Sequence, residues 1–229
     1  MDYLWQAVVR AFTLIVTLDR EILTITLTSL RISLIAILLA SMAGVPAGFT
    51  IGMTTFTGRG VIITILNTLM ALPTVVVGLF GYALISRRGP FGPLELLFTP
   101  TAMIMGQFVL ATPIIMSLTL SATQSLDPRV RRTAIVLGAT PLQSAITMLS
   151  EARFALVAAI VAGFGRVIGE VGASMMLGGN IKGYTRNLPT AIALETSKGE
   201  FGFGLALGII LMSVALGVNG LLRFLQSKR

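Results

Sequence analysis

Residues Arg131–Pro141 read RRTAIVLGATP, and the fold turns on whether this stretch crosses a membrane or stands outside it. It opens an uncharged run, 133–150, in which eight of eighteen residues are Thr, Ser, Gln, Gly or Pro. Such a run inserts poorly. Asp127-Pro128 just before it is an N-cap followed by proline at the first helical position, and Gly138 stands where a helix stops. Thr140-Pro141 repeats the start signal. The pattern predicts two short helices, 128–137 and 141–150, around a Gly-Ala turn. Val130, Ala134 and Leu137 stripe the first; Leu142, Ala145, Ile146 and Leu149 stripe the second.

The rest of the chain is a different solvent's protein. Of 229 residues, 55% are hydrophobic and 11% charged, with a mean hydropathy of +0.91, where soluble domains carry about 25% charge. No cysteine or histidine is present, which removes disulfides, Cys/His metal sites, thiol nucleophiles and imidazole bases. No cofactor, metal site or catalytic residue is expected. The net charge of +8 is scattered between apolar runs, a distribution suited to lipid head groups or anionic cargo and not to nucleic acid.

A membrane span needs about 20 apolar residues. Uncharged runs at 32–58, 60–86, 96–126 and 201–222 qualify, as does 154–181 despite Arg166 and Glu170. The expected architecture is all-α and membrane-integral, with five spans near 23–51, 60–86, 98–121, 153–178 and 201–224. The first twenty residues form a separate unit. Leu4, Val8, Phe12, Ile15 and Val16 share one helical face and Gln6, Arg10, Thr13 and Thr17 the other. That suggests an amphipathic helix lying in the interface, with a sixth, poor span as the alternative. Placing 128–152 inside puts eight basic residues there, including Lys228 and Arg229, against seven outside, so charge counting barely orients the chain.

The segment Arg132–Ala139 resembles the coupling loop of ABC importer permeases: Glu-Ala-Ala, three residues, Gly. Arg132 stands at the family's acidic position and Thr133 at its first alanine; Ala134, Leu137 and Gly138 keep the helix geometry. Gly163–Thr196, GFGRVIGEVGASMMLGGNIKGYTRNLPTAIALET, is similar to molybdate, tungstate and sulfate permeases, and most like the tungstate type. LNTLMALPTVVVGL (66–79) and SRRGPFGPL (86–94) fit as well. The resemblance covers the chain from about residue 21. It implies a type I ABC importer transmembrane domain, a homodimer in a prokaryotic cell membrane. Two copies of an ATP-binding subunit would sit inside and a substrate-binding protein outside. Arg131, Arg132, Thr133, Ala134, Leu137, Gly138, Ala139 and Pro141 would then meet the ATPase. The chain has no G-x-x-x-x-G-K-[ST] of its own, so ATP energy would arrive through that contact.

Arg166 and Glu170 are four apart and share a helix face. An unpaired arginine at mid-membrane costs roughly 2.5–3.5 kcal/mol or more, so the two are expected to pair, to line the translocation path, or both. Asn67 and Pro73, with Thr68 and Thr74, form a polar, kinkable patch that is a second candidate for the path. Lys182, Arg186 and Lys198 give the 179–200 segment a basic character that could guide an anion. Molybdate or sulfate import, a stand-alone carrier or channel, and a membrane scaffold are the competing functions. The absence of a visible internal repeat disfavours the carrier.

Overall fold

A computed structural model describes residues 2–227; Lys228 and Arg229, used in the charge counting, and the Leu4 side chain lie outside the described residues. Eleven α-helices and one 3-10 turn are present among the described residues, with no strand. They are α1 (Asp2–Val16), α2 (Arg20–Met53), α3 (Arg59–Met70), α4 (Thr74–Ile85), α5 (Pro100–Gln124) and α6 (Pro128–Val136). The second half holds α7 (Pro141–Glu151), α8 (Arg153–Ile168), α9 (Gly172–Gly178), α10 (Leu188–Ser197) and α11 (Phe201–Ser227). Helices α2, α5 and α11 are each long and apolar enough to cross a membrane. By length and composition the bent pairs α3–α4 and α7–α8 bring the number to as many as five, although α7 packs mainly with α6 in a hairpin.

The central helices begin at clear signals. Asp19 accepts hydrogen bonds from the Glu21 and Ile22 amides and starts α2, while Thr99 with Pro100 starts α5. At 1.5 Å per residue α2 is about 51 Å long, well beyond roughly 30 Å of hydrocarbon. It packs most extensively on α5, through Gly44, Gly48 and Gly52, spaced one turn apart. A Cβ at Gly52 would lie 2.8 Å from Thr123 Cβ, and one at Gly48 would overlap the Met116 carbonyl oxygen. Small residues every fourth position let two backbones approach where lipid supplies no hydrophobic drive. Helix α8 closes the core: Ile37 and Ala40 of α2, Ala111 and Ile115 of α5, and Phe164 and Val167 of α8 form one buried cluster. Gly163 lies against Ile115.

Two stretches that read as continuous spans are broken. Helix α3 ends at Met70 and α4 leaves at 97° to it. Pro73 is the cause: it cannot donate to the preceding turn and it biases Leu72 away from helical backbone. The 153–178 stretch stops at Gly169 and restarts at Gly172, where two glycines weaken the helix. A third bend, 66° at Ala152, separates α7 from α8.

Helix α1 forms along α11, with Ala7 and Ala11 buried and Trp5, Val9, Phe12 and Val16 exposed. Its protein-facing side joins Ala7 and Ala11 to half-buried Val8, Leu14 and Ile15. The large-residue face that periodicity picks out is therefore split: Val8 and Ile15 turn toward the protein, Phe12 and Val16 away from it. Arg10 reaches Glu200 at 2.8 Å.

Candidate functional site

The α6–α7 hairpin is built from capping signals at each end. Asp127 accepts from the Arg129 amide at 2.8 Å. Gly138 adopts φ +86°, its amide donates to the Ile135 carbonyl, and the Ala139 amide donates to Ala134. These two bonds constitute a Schellman stop, which needs a left-handed residue at its centre. Thr140 and Gln143 then form a reciprocal capping box that starts α7. Eleven residues thus turn the chain with little freedom.

The hairpin leaves apolar surface uncovered. Val130 and Ala134 are half-buried and Met148 is buried. Ile135, Val136, Leu137, Leu142 and Ile146 are exposed, Val136 by 85% and Leu137 by 80%. Arg131, Arg132 and Thr133 are exposed beside them, Ala139 is half-buried, and Pro141 opens α7. Arg131 and Arg132 line a cavity of about 560 Å³ under the ends of α2 and α5. Neither arginine is ion-paired among the described residues. Helices too polar to span, carrying an unburied apolar tip next to free cations, make a surface that suits a protein partner.

The charged pair sits at the α8–α9 break. Arg166 Nη1 donates to Glu170 Oε2 at 3.2 Å, with the arginine side chain 38% exposed and the glutamate 3%. The other oxygen, Oε1, accepts from the Ala173 amide at 3.1 Å. Glu170 therefore ties the last turn of α8 to the first turn of α9 across the gap. The two helix breaks also meet: a Cβ at Gly172 would lie 3.1 Å from Thr74 Oγ1 and 3.4 Å from Glu170 Oε1. Thr74, the residue after Pro73, and Glu170 thus lie against the same glycine. Asn67 makes its hydrogen bond elsewhere, accepting from Ser117 Oγ of α5 at 3.2 Å.

Because Glu170 is buried and Arg166 is not, removing the arginine is the harsher single change. Arg166→Gln leaves a buried carboxylate uncompensated. It is expected to cost about 2–3 kcal/mol, below the usual 3–5 for a buried pair because solvent reaches the arginine. Glu170→Gln keeps an acceptor for Ala173 and should cost less; the double variant should recover most of the loss. Melting of the three variants in detergent checks this, and additive losses would mean the pair carries no coupling.

The basic segment at the opposite end of the bundle differs from the sequence expectation. Glu21 accepts from Lys182 Nζ at 2.6 Å and from Arg186 at 3.4 Å. Glu195 lies 2.9 Å from Lys198 and 3.8 Å from Arg186. The three cations are answered by two carboxylates from α2 and α10, so the segment is a clasp between helices and offers little field for an anion.

A model of the family described as binding-protein-dependent transport system inner membrane component matches residues 44–229. The chain belongs to this family. It is a multi-pass permease subunit of an ABC importer, a transporter component and not a catalyst. The permease is 42% identical over 205 residues to a "Probable anion ABC transporter permease protein" of Haloferax volcanii, covering 87% of this chain and 88% of the relative. It is 36% identical to a tungstate uptake system permease protein of Peptoclostridium acidaminophilum, with 100% of both chains covered. Against the tungstate uptake system permease of Campylobacter jejuni it is 40% identical, covering 96% and 92%. Permeases named for molybdenum transport are more distant, at 25% to 30% identity. In solved structures, the permease fold matches a bacterial ABC transporter involved in import of the acidic polysaccharide alginate. The TM-score is 0.74 at 18% identity, over 93% of this chain and 83% of that one.

Proposed function

We propose that the permease carries a tetrahedral oxyanion, tungstate first, into the cytoplasm as a homodimer. Two copies of a separate ATP-binding subunit would serve it inside and a substrate-binding protein outside. Residues 1–20 make up its N-terminal interfacial unit, built on α1, and 21–229 its transport domain. The capped, apolar-tipped α6–α7 hairpin carries this reading, because it presents a rigid surface for a partner that the chain itself does not supply. Tungstate is favoured over molybdate by the full-length similarity to permeases named for tungstate uptake.

In this mechanism the ATPases close on ATP and draw the two hairpins together. The contact is made by Arg131, Arg132, Thr133, Ala134, Leu137, Gly138, Ala139 and Pro141. The pull passes through the 66° bend at Ala152 into α8, and from there to the Glu170 bridge and the adjoining Pro73 break. Asn67, Pro73, Arg166 and Glu170 flank the path. Arg166, the exposed member of the pair, offers a cation to a passing dianion while Glu170 holds it in place. Hydrolysis resets the spans and the anion leaves inward.

Two experiments test this. A lone cysteine at Val136 should react with an impermeant maleimide only in opened cells, and one at Ser197 in cells with an intact membrane. The reversed pattern removes the ATPase contact. With the cognate ATPase and binding protein reconstituted, tungstate-loaded binding protein should stimulate ATP hydrolysis at least about tenfold over the sulfate-exposed protein. Equal stimulation would refute the tungstate assignment.

A further inference from the structure

At the bundle end opposite the hairpin, α4 and α5 are separated by an open apolar groove of about 350 Å³. It runs from Leu72 and Val109 at its deep end to Ile85 and Phe91 at its mouth. Phe80, Leu84, Met105 and Val109 along it are exposed. The twelve residues of α4 span about 18 Å, close to half of a roughly 30 Å hydrocarbon core, which is one leaflet. At Ile85 the groove meets a second cavity, about 830 Å³, whose lining includes Ser86, Arg87, Arg88 and Glu95. Both arginines are exposed and have no carboxylate within salt-bridge distance among the described residues. Tyr82 and Phe98 line the same second cavity with tilted rings 6.4 Å apart, centroid to centroid, and tyrosine is a ring found at head-group depth.

A slot one leaflet deep that is apolar along its length and cationic at its mouth has the shape of a phospholipid. We infer that this groove binds one acyl chain of an anionic phospholipid, with the phosphate held by Arg87 and Arg88. The two cations outweigh Glu95, the one acidic side chain lining the mouth, and the apolar slot demands a tail that free phosphate lacks. The site is independent of the cargo: it buttresses α4, whose other end is the Pro73 break beside Glu170.

Native mass spectrometry tests the site on the assembled transporter, taken from nanodiscs of equal phosphatidylglycerol and phosphatidylcholine. One phosphatidylglycerol per chain should be retained, with about a tenfold preference over phosphatidylcholine. Arg87→Gln with Arg88→Gln should erase the preference and Glu95→Gln should raise it, whereas Val109→Trp should fill the slot and release either lipid. Displacement of the bound lipid by inorganic phosphate would overturn the tail requirement. Equal retention of both lipids, or a preference that survives loss of both arginines, would overturn the assignment. So would a disulfide between two copies at Val109→Cys in a lipid-free groove, because a second copy would then be the occupant.

Discussion

Gly48→Val is expected to abolish the folded permease. A first side-chain carbon at this position already overlaps the Met116 carbonyl oxygen, a backbone atom that cannot rotate away. Valine adds two more carbons to the same space. Gly44 and Gly52 lie a turn to either side, with Cβ distances of 3.2 and 2.8 Å to α5, so α2 cannot tilt about one contact without opening the others. Overpacking usually costs about 1–3 kcal/mol where side chains can yield; against backbone the loss should exceed that range. The readout is the yield of monodisperse protein in mild detergent, which should fall to background. Gly60→Ala is the matched control. Gly60 also lies in a helix, but a Cβ there meets nothing within 4 Å, so the change should be neutral or slightly stabilising.

Gly138→Val should have the opposite profile, with folding spared and function lost. A Cβ at Gly138 meets nothing within 4 Å, so there is no clash. The penalty comes from φ +86°, which costs a β-branched residue about 1–2 kcal/mol or more. Valine escapes by leaving the left-handed region, which breaks the Ile135 and Ala134 hydrogen bonds and re-aims α6 against α7. Nothing lies within 4 Å of a side-chain carbon placed at Gly138, so the spans should insert and the protein should purify normally. ATP hydrolysis stimulated by the loaded binding protein should fall at least about tenfold, as expected when a rigid contact of hot-spot rank is displaced. Arg132→Ala separates charge from shape: weaker, less salt-sensitive ATPase binding would show that this arginine meets an acidic groove.

Much of this was legible in the residues because it is local. Asp127-Pro128, Gly138 and Thr140-Pro141 specify caps whose partners lie within a few positions, so the hairpin can be read without its surroundings. The five-span plan follows from composition, since lipid selects apolar runs. The breaks were only half legible: Pro73 announces a bend but not a 97° turn, and Gly169 to Gly172 was hidden inside an apolar run. The clasp of Glu21 with Lys182 and Arg186 joins residues some 160 positions apart, and no spacing rule reaches that far. The ladder of Gly44, Gly48 and Gly52 did carry a signal, small residues at every fourth position. Hydropathy counting passes over it because glycine is neither charged nor large. Arg166 and Glu170 pair as their spacing suggests, yet only the fold shows that Glu170 also holds α9.

The most direct test of the central claim is uptake of radiolabelled tungstate into liposomes containing the permease, its ATPase and external binding protein. Accumulation should require ATP and all three components, and should disappear with Gly138→Val while the complex remains inserted. Tungstate entry through the permease alone, without ATP or partners, or undiminished ATP-driven uptake by the Gly138→Val protein, would contradict a permease driven through the α6–α7 hairpin.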